Sequence, residues 1–149
     1  MKATTLLEHQ HRNLQELCKA VEYGSAGMRA SLLPQLASDL VAHIAVEEKV
    51  FYPAASEALH EDAWLRVCGD LRVSTRASLH RALEASPEGE DFTRAIGELR
   101  GLLHRHAEQE EDLLFPRMER ALDPATMRSL GLSMLALYDV AVETAYSEE

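Results

Sequence analysis

Seven histidines, at positions 9, 11, 43, 60, 80, 104 and 106, stand in a 149-residue chain that has only three Phe, four Tyr and one Trp. Two of them open the same local pattern. His43 is followed by Glu47, Glu48, Val50, Phe51, Tyr52 and Pro53, and His106 by Glu110, Glu111, Leu113, Leu114, Phe115 and Pro116, at the same offsets and without a gap. Residues four apart in an α-helix lie on one face, one turn apart. His43 and Glu47 can therefore reach one ion, and so can His106 and Glu110. A weaker echo links His11-Arg12-Asn13-Leu14 with His80-Arg81-Ala82-Leu83. Imidazole nitrogen with carboxylate oxygen suits iron, manganese or zinc. The two cysteines, Cys18 and Cys68, form no CxxC or Cys/His knuckle, which removes the soft thiolate sites.

The elements that must carry these residues read as helices. Ala, Leu, Glu and Arg dominate, and Gly and Pro punctuate a few places. The spacing predicts helix 1 from about Thr5, where Thr5-x-x-Glu8 has the form of a capping box, to Gly24 or Gly27. Helix 2 is expected from about Ser31, with Pro34 in its first turn, to Tyr52, where Pro53 ends or kinks it. Helix 3 is expected over about Glu61 to Ala85, a turn at Ser86-Pro87-Glu88-Gly89, and helix 4 over about Asp91 to Phe115. Asp123-Pro124 reads as an N-cap followed by Pro at the first helical position of a shorter C-terminal helix, about 124–146.

Short connections favour antiparallel neighbours. The expected fold is all-α: an up-down-up-down four-helix bundle over about 5–117 with an additional C-terminal helix, in one domain, 1–149. The inward lanes are Leu7, His11, Leu14, Cys18 and Val21; Leu36, Leu40, His43, Glu47 and Val50; Val73, Ala77, His80 and Leu83; and Leu99, Leu103, His106, Glu110 and Leu113. Four His and two Glu thus point into an apolar core. A buried carboxylate without a partner costs several kcal/mol, and two together repel. A cation is expected between them, and two carboxylates able to bridge favour a dinuclear site. The bland alternative is a plain bundle whose buried polar groups satisfy one another.

Composition excludes other classes. Fifteen Lys plus Arg against 25 Asp plus Glu give a net charge of −10, which lacks the basic footprint nucleic acid requires. The longest uncharged run, Ser129 to Tyr138, is half a membrane span, and the N-terminus has no signal-peptide core. A cytoplasmic location is expected from these features and the sparse cysteines.

The doubled His-x-x-x-Glu-Glu motif, closing on an aliphatic residue, an aromatic and Pro, resembles the hemerythrin-like, or HHE cation-binding, family over about positions 5 to 116. The resemblance implies a helical bundle holding a non-haem di-iron centre, with two oxo- or hydroxo-bridged Fe ions, or manganese or a mixed pair. It implies His11, His43, Glu47, His80, His106 and Glu110 as ligands, with Glu47 and Glu110 bridging; no catalytic residue is assigned. Oxygen-carrying hemerythrins use five histidines, with His-x-x-x-His on helix 3 and His-x-x-x-x-Asp on helix 4. Here Arg76 and Glu84 flank His80, so the four-His, two-Glu members are the closer comparison. The expected partner is a small diatomic ligand (O2 or NO) or peroxide. Iron storage with ferroxidase activity, using Glu8-x-x-His11 and Glu57-x-x-His60, iron delivery for metal-centre repair, and an iron- or oxygen-sensing module are the alternatives. His9, His60 and His104 are read as surface residues, Glu48 and Glu111 as solvated or paired, Glu84 as a pocket-edge hydrogen-bonding group, and Tyr52 and Tyr23 as aromatics at the helix ends that can approach the centre or cap the core. The C-terminal helix either covers the bundle or forms a dimer contact, so the chain is expected as a monomer or homodimer.

Overall fold

The computed structural model describes residues 1–147. It is helical throughout its regular structure, with no strand among the described residues. The helices are α1 (Ala3–Tyr23), α2 (Ala26–Val46), α3 (Tyr52–Leu59), α4 (Ala63–Glu84), α5 (Glu90–Gln109), α6 (Phe115–Ala121) and α7 (Pro124–Ser147). Two π-helical segments, Glu47–Phe51 and Glu110–Leu114, join α2 to α3 and α5 to α6. The continuous rods α2–α3 and α5–α6 pack with α1 and α4 as a four-helix bundle, and α7 lies along α1 and α2. Among the described residues no helix is long and apolar enough to cross a membrane.

Several boundaries move from the sequence expectation. α1 begins at Ala3, so Thr5 lies inside it; the neighbouring Thr4 is buried and bonds Glu119 from within the first turn. Ser25 caps α2, accepting from the Met28 amide at 3.3 Å, which starts the helix early and leaves Pro34 in its interior. Asp123 caps α7 as expected, its carboxylate accepting from the Thr126 amide at 2.7 Å.

The largest difference is at Pro53 and Pro116, which neither end nor break their helices. A proline ring clashes with the carbonyl four residues back and cannot donate to it. Here the preceding turn is widened: the Tyr52 amide donates to the Glu47 carbonyl and the Phe115 amide to that of Glu110, each five residues back. The widened turn also shifts the inward lane by one residue. Phe51 and Leu114 are fully buried, whereas Leu113, expected inward, is exposed.

Two apolar clusters stack along the bundle. One gathers Leu14, Cys18, Leu36, Leu40, Phe92, Ile96 and Leu99. The other gathers Leu7, Val46, Phe51, Phe115 and Met118 with Met127 and Met134 of α7. The C-terminal helix therefore covers the bundle. Gly131 permits its approach, because a Cβ there would lie 2.2 Å from the Met1 carbonyl oxygen and 3.0 Å from the Ala3 amide nitrogen. Both are backbone atoms, with no flexible end to yield.

Replacing Gly131 by Ala should therefore destabilise the fold by about 1–3 kcal/mol in thermal or denaturant unfolding, the usual cost of overpacking. Gly101→Ala in α5, where a Cβ meets nothing within 4 Å, should instead gain about 0.5–1 kcal/mol from helix propensity.

Candidate metal centre

Between the two apolar clusters five buried side chains converge: His11 from α1, His43 from α2, His106 from α5, and Glu47 and Glu110 at the first residue of each π segment. One ligand atom from each lies within 4.8 Å of the other four. The two carboxylates have no solvent exposure.

Each carboxylate meets imidazoles from two helices. Glu47 Oε1 is 3.0 Å from His43 Nε2 and 2.8 Å from His106 Nε2. Glu110 Oε1 is 2.8 Å from His11 Nε2 and 3.2 Å from His106 Nε2. His106 thus stands between the carboxylates. Several of these contacts are close without being aligned as hydrogen bonds: His11 Nε2, His43 Nε2 and Glu110 Oε1 are buried and have no hydrogen-bond partner. Buried polar atoms are rarely left so. Three such atoms in one buried cluster are what a cation would satisfy.

The opposite ends of the histidines are anchored. His43 Nδ1 lies 2.8 Å from Gln10 Oε1 and His11 Nδ1 lies 3.1 Å from Glu111 Oε2, which turns both Nε2 atoms toward the centre. His11 also stacks on Phe115, with ring centroids 6.1 Å apart. Tyr52, fully buried, donates its hydroxyl to Glu110 Oε2 at 2.5 Å and reaches Glu47 Oε2 at 3.2 Å. One phenol therefore ties the two carboxylates together.

The charges follow. Burial works against ionisation of Glu47, but the adjacent His106 and His43 outweigh it and hold its carboxyl well below the ordinary 4.5. Burial likewise opposes charge on His106, yet Glu110 and Glu47 raise it well above 6.5. His11 is raised too, burial being overcome mainly by Glu110.

Five of the six expected ligands are thus brought together, and His80 is not. It is exposed on the outer face of α4 and pairs with Glu84 at 3.1 Å. The inward face of α4 is Thr75, Ser78, Leu79 and Ala82, while Val73 and Leu83, expected inward, face solvent. Its axial level is wrong as well. Arg81 bonds Glu98 at 2.9 Å, and Thr75 lines the same cavity as Leu103, so the α4–α5 register sets Arg72 and Thr75 beside the centre. His80 lies some two turns away, on the order of 10 Å at 1.5 Å per residue. A signal for this exists in the chain. His11 precedes His43 by 32 residues (43 − 11), but His80 precedes His106 by only 26 (106 − 80).

Spacing does not single out Gln10; Glu111, expected solvated or paired, pairs with His11, and Tyr52, expected at a helix end, reaches both carboxylates. Tyr23 is exposed, as are His9 and His104, the last paired with Glu108 at 3.0 Å. His60 takes a left-handed conformation, φ 55°, at the end of α3. It falls outside the cluster with Glu57, as does Glu8, which removes the Glu-x-x-His pairs as the source of the site. Cys18 is buried and its thiol is pushed up to about 12 by desolvation and by Glu22, so it is a packing residue.

The chain matches the Hemerythrin HHE cation-binding domain family over residues 2–67 and again over 65–130. It belongs to that family, and its two matches are the two hairpins of the bundle. The fold is shared with a crystal structure of a hemerythrin HHE cation-binding domain-containing protein from Mycobacterium kansasii, with 20% sequence identity, 99% of this chain and 91% of that one covered, and a TM-score of 0.87. No curated protein matches the sequence. A cation-binding domain with a buried His/Glu cluster fitted to a metal is therefore the class of protein this is.

Two outcomes follow from the geometry. In the metal-free protein the charged His106 and His11 contribute stability that is complete below about 6.5 and lost as pH rises through their raised values. Glu47 contributes stability present above about 4.5 and lost as pH falls through its depressed value. Denaturant unfolding across pH should show both declines, and saturating metal should remove the alkaline one. Tyr52→Phe, which deletes the hydroxyl and keeps the ring, should weaken metal affinity about 10-fold or more by competition titration, with little change in fold.

Proposed function

We propose that the chain holds two iron ions as a carboxylate-bridged pair, and that this pair binds or reacts with dioxygen, nitric oxide or peroxide. The observation that carries the reading is the placement of Glu47 and Glu110, each touched by imidazoles of two helices and both anchored by Tyr52. A carboxylate facing nitrogen donors from two sides is disposed to bridge. The donor set of nitrogen and oxygen without thiolate fits iron, with manganese as the competing ion. When bound, such a pair supplies a change of oxidation state and coordination positions at which a small molecule exchanges.

The chain's own residues set the conditions for that chemistry. The two apolar clusters exclude bulk water on either side of the centre. Gln10 and Glu111 fix the imidazole orientation, and Tyr52 holds a proton between the carboxylates. With His80 outside the cluster, the protein offers three imidazoles instead of four. That leaves more of the metals' coordination to exogenous ligands than the four-histidine pattern would, which supports reactivity over passive storage. Delivery of iron to a partner and sensing draw on the same centre and have no separate feature here.

Protein purified without added metal and then loaded should carry two irons per chain, with an electronic spectrum that changes on reduction and on exposure to peroxide or nitric oxide. Glu47→Ala and Glu110→Ala should each lower iron to one per chain or less, whereas His80→Ala should leave it unchanged. Two irons retained in either glutamate variant would overturn the bridging assignment.

A further inference from the structure

The centre is closed on the α1 side and different on the α4 side. The motif repeat relates the hairpins by a shift of 63 residues, taking His43 to His106, Glu47 to Glu110 and Glu48 to Glu111. Glu111 reaches across to His11 of α1, with Oε2 3.1 Å from Nδ1. Its counterpart Glu48 reaches across to α4 and there finds Arg72 at 3.6 Å and Arg76 at 3.2 Å. The partners that α4 presents to this second glutamate are therefore arginines, where α1 presents a histidine.

Arg72 is held at the centre. Its side chain is 15% exposed, and its guanidinium carbon sits 5.7 Å from the centroid of the Tyr52 ring whose hydroxyl joins Glu47 and Glu110. Together with Thr75 it lines a small cavity whose other wall includes His43, Glu47 and His106. The cavity is about 10 Å³, close to the space one water molecule needs. A second feature points the same way. At this mouth two arginines, Arg72 and Arg76, face one carboxylate, Glu48, in a chain whose net charge is −10. The Thr75 hydroxyl donates to the Leu71 carbonyl at 2.8 Å, so its oxygen remains able to accept a hydrogen bond from a neighbour.

We propose that Arg72 and Thr75 form a subsite, with room for one heavy atom, for one end of a small anion such as hydroperoxide on the α4 face of the metal pair. This rests on the metal-pair reading above and adds the charge of the ligand and the residues that meet it. The guanidinium attracts and orients the anion through charge-assisted hydrogen bonds. The Thr75 oxygen accepts from an O–H where the anion carries one. Arg72 is a positioning and selectivity residue, and it is not needed to hold the metal.

The test is ligand binding by the iron-loaded protein, with azide as the anionic probe and nitric oxide as the uncharged one. Calorimetry and the electronic spectrum report affinity, and metal analysis is run on every sample. Arg72→Gln should weaken azide at least 10-fold, Arg72→Lys should restore it to within about threefold, and nitric oxide affinity should change less than twofold, all at unchanged iron content; the azide loss corresponds to removal of one hydrogen bond to a charged group. Thr75→Val, nearly isosteric, should leave azide unaffected and weaken hydroperoxide. Azide affinity unchanged in Arg72→Gln would overturn the proposal while leaving the metal pair intact, as would equal losses for azide and nitric oxide. A wild-type chain that holds no metal would overturn both readings.

Discussion

Two carboxylates buried without solvent exposure set the terms for this bundle. Glu47 and Glu110 lie in the middle of a four-helix core, where an isolated negative charge is costly and two are worse. Everything close to them answers that cost. Three imidazoles approach within 3.2 Å, two of them held in a raised protonation range by the same carboxylates, and a tyrosine hydroxyl bridges the pair. Protonated histidines are a serviceable substitute for a cation, but they leave buried donor atoms without aligned partners. A metal would neutralise the carboxylates and use those atoms at once.

The backbone makes its own concession to the same centre. A regular α-helix running into Pro53 would set the proline ring against the carbonyl of Lys49, and Pro116 would do the same to that of Asp112. Each helix widens by one residue across the turn before the proline, and the widened turn begins at Glu47 or Glu110 itself. The insertion lets the rod continue past the proline as α3 or α6 and turns Phe51 and Leu114 into the core. The aromatic residue that closes each turn then lands on the centre. Tyr52 bonds the carboxylates, and Phe115 stacks on His11. Proline, π turn, glutamate and aromatic are one device, used twice.

That device explains which parts of the site are legible in the sequence. A motif repeated without a gap carries both face and level, so His43, Glu47, His106 and Glu110 are found from spacing alone, and the apolar lane around His11 fixes its face. Spacing on a single helix carries face only when the lane is unambiguous. α4 has apolar residues on both sides, Val73 and Leu83 outward and Leu79 and Ala82 inward, and His80 sits with the wrong set. Level is a property of the hairpin, and the unequal intervals of 32 and 26 residues record it. Tyr52 is legible as an aromatic near the centre, and the role of its hydroxyl is not. Its repeat partner is phenylalanine, so comparison of the two motifs marks the position as aromatic and says nothing of a hydroxyl. The π turns are invisible to any rule that assumes 3.6 residues per turn.

The remaining consequence concerns the inequality of the two hairpins. Their second helices carry the same His, Glu, Glu and Pro, so the halves of the centre that α2 and α5 supply are nearly equivalent. Their first helices are not. α1 contributes a histidine clamped by Glu111 and packed flat on Phe115, a closed and rigid side. α4 contributes Arg72 and Thr75 beside a water-sized cavity. A duplicated fold that kept both histidines would present the same surface to a ligand from either direction. Arg72 offers a positive charge that cannot coordinate metal, because guanidinium has no lone pair to offer at any accessible pH. On the reading proposed above, it serves what approaches the centre and not a metal held there. The fixed charge on α4 is thus what distinguishes the two sides of an otherwise near-symmetric centre, and on that proposal it marks the side from which an anion is met.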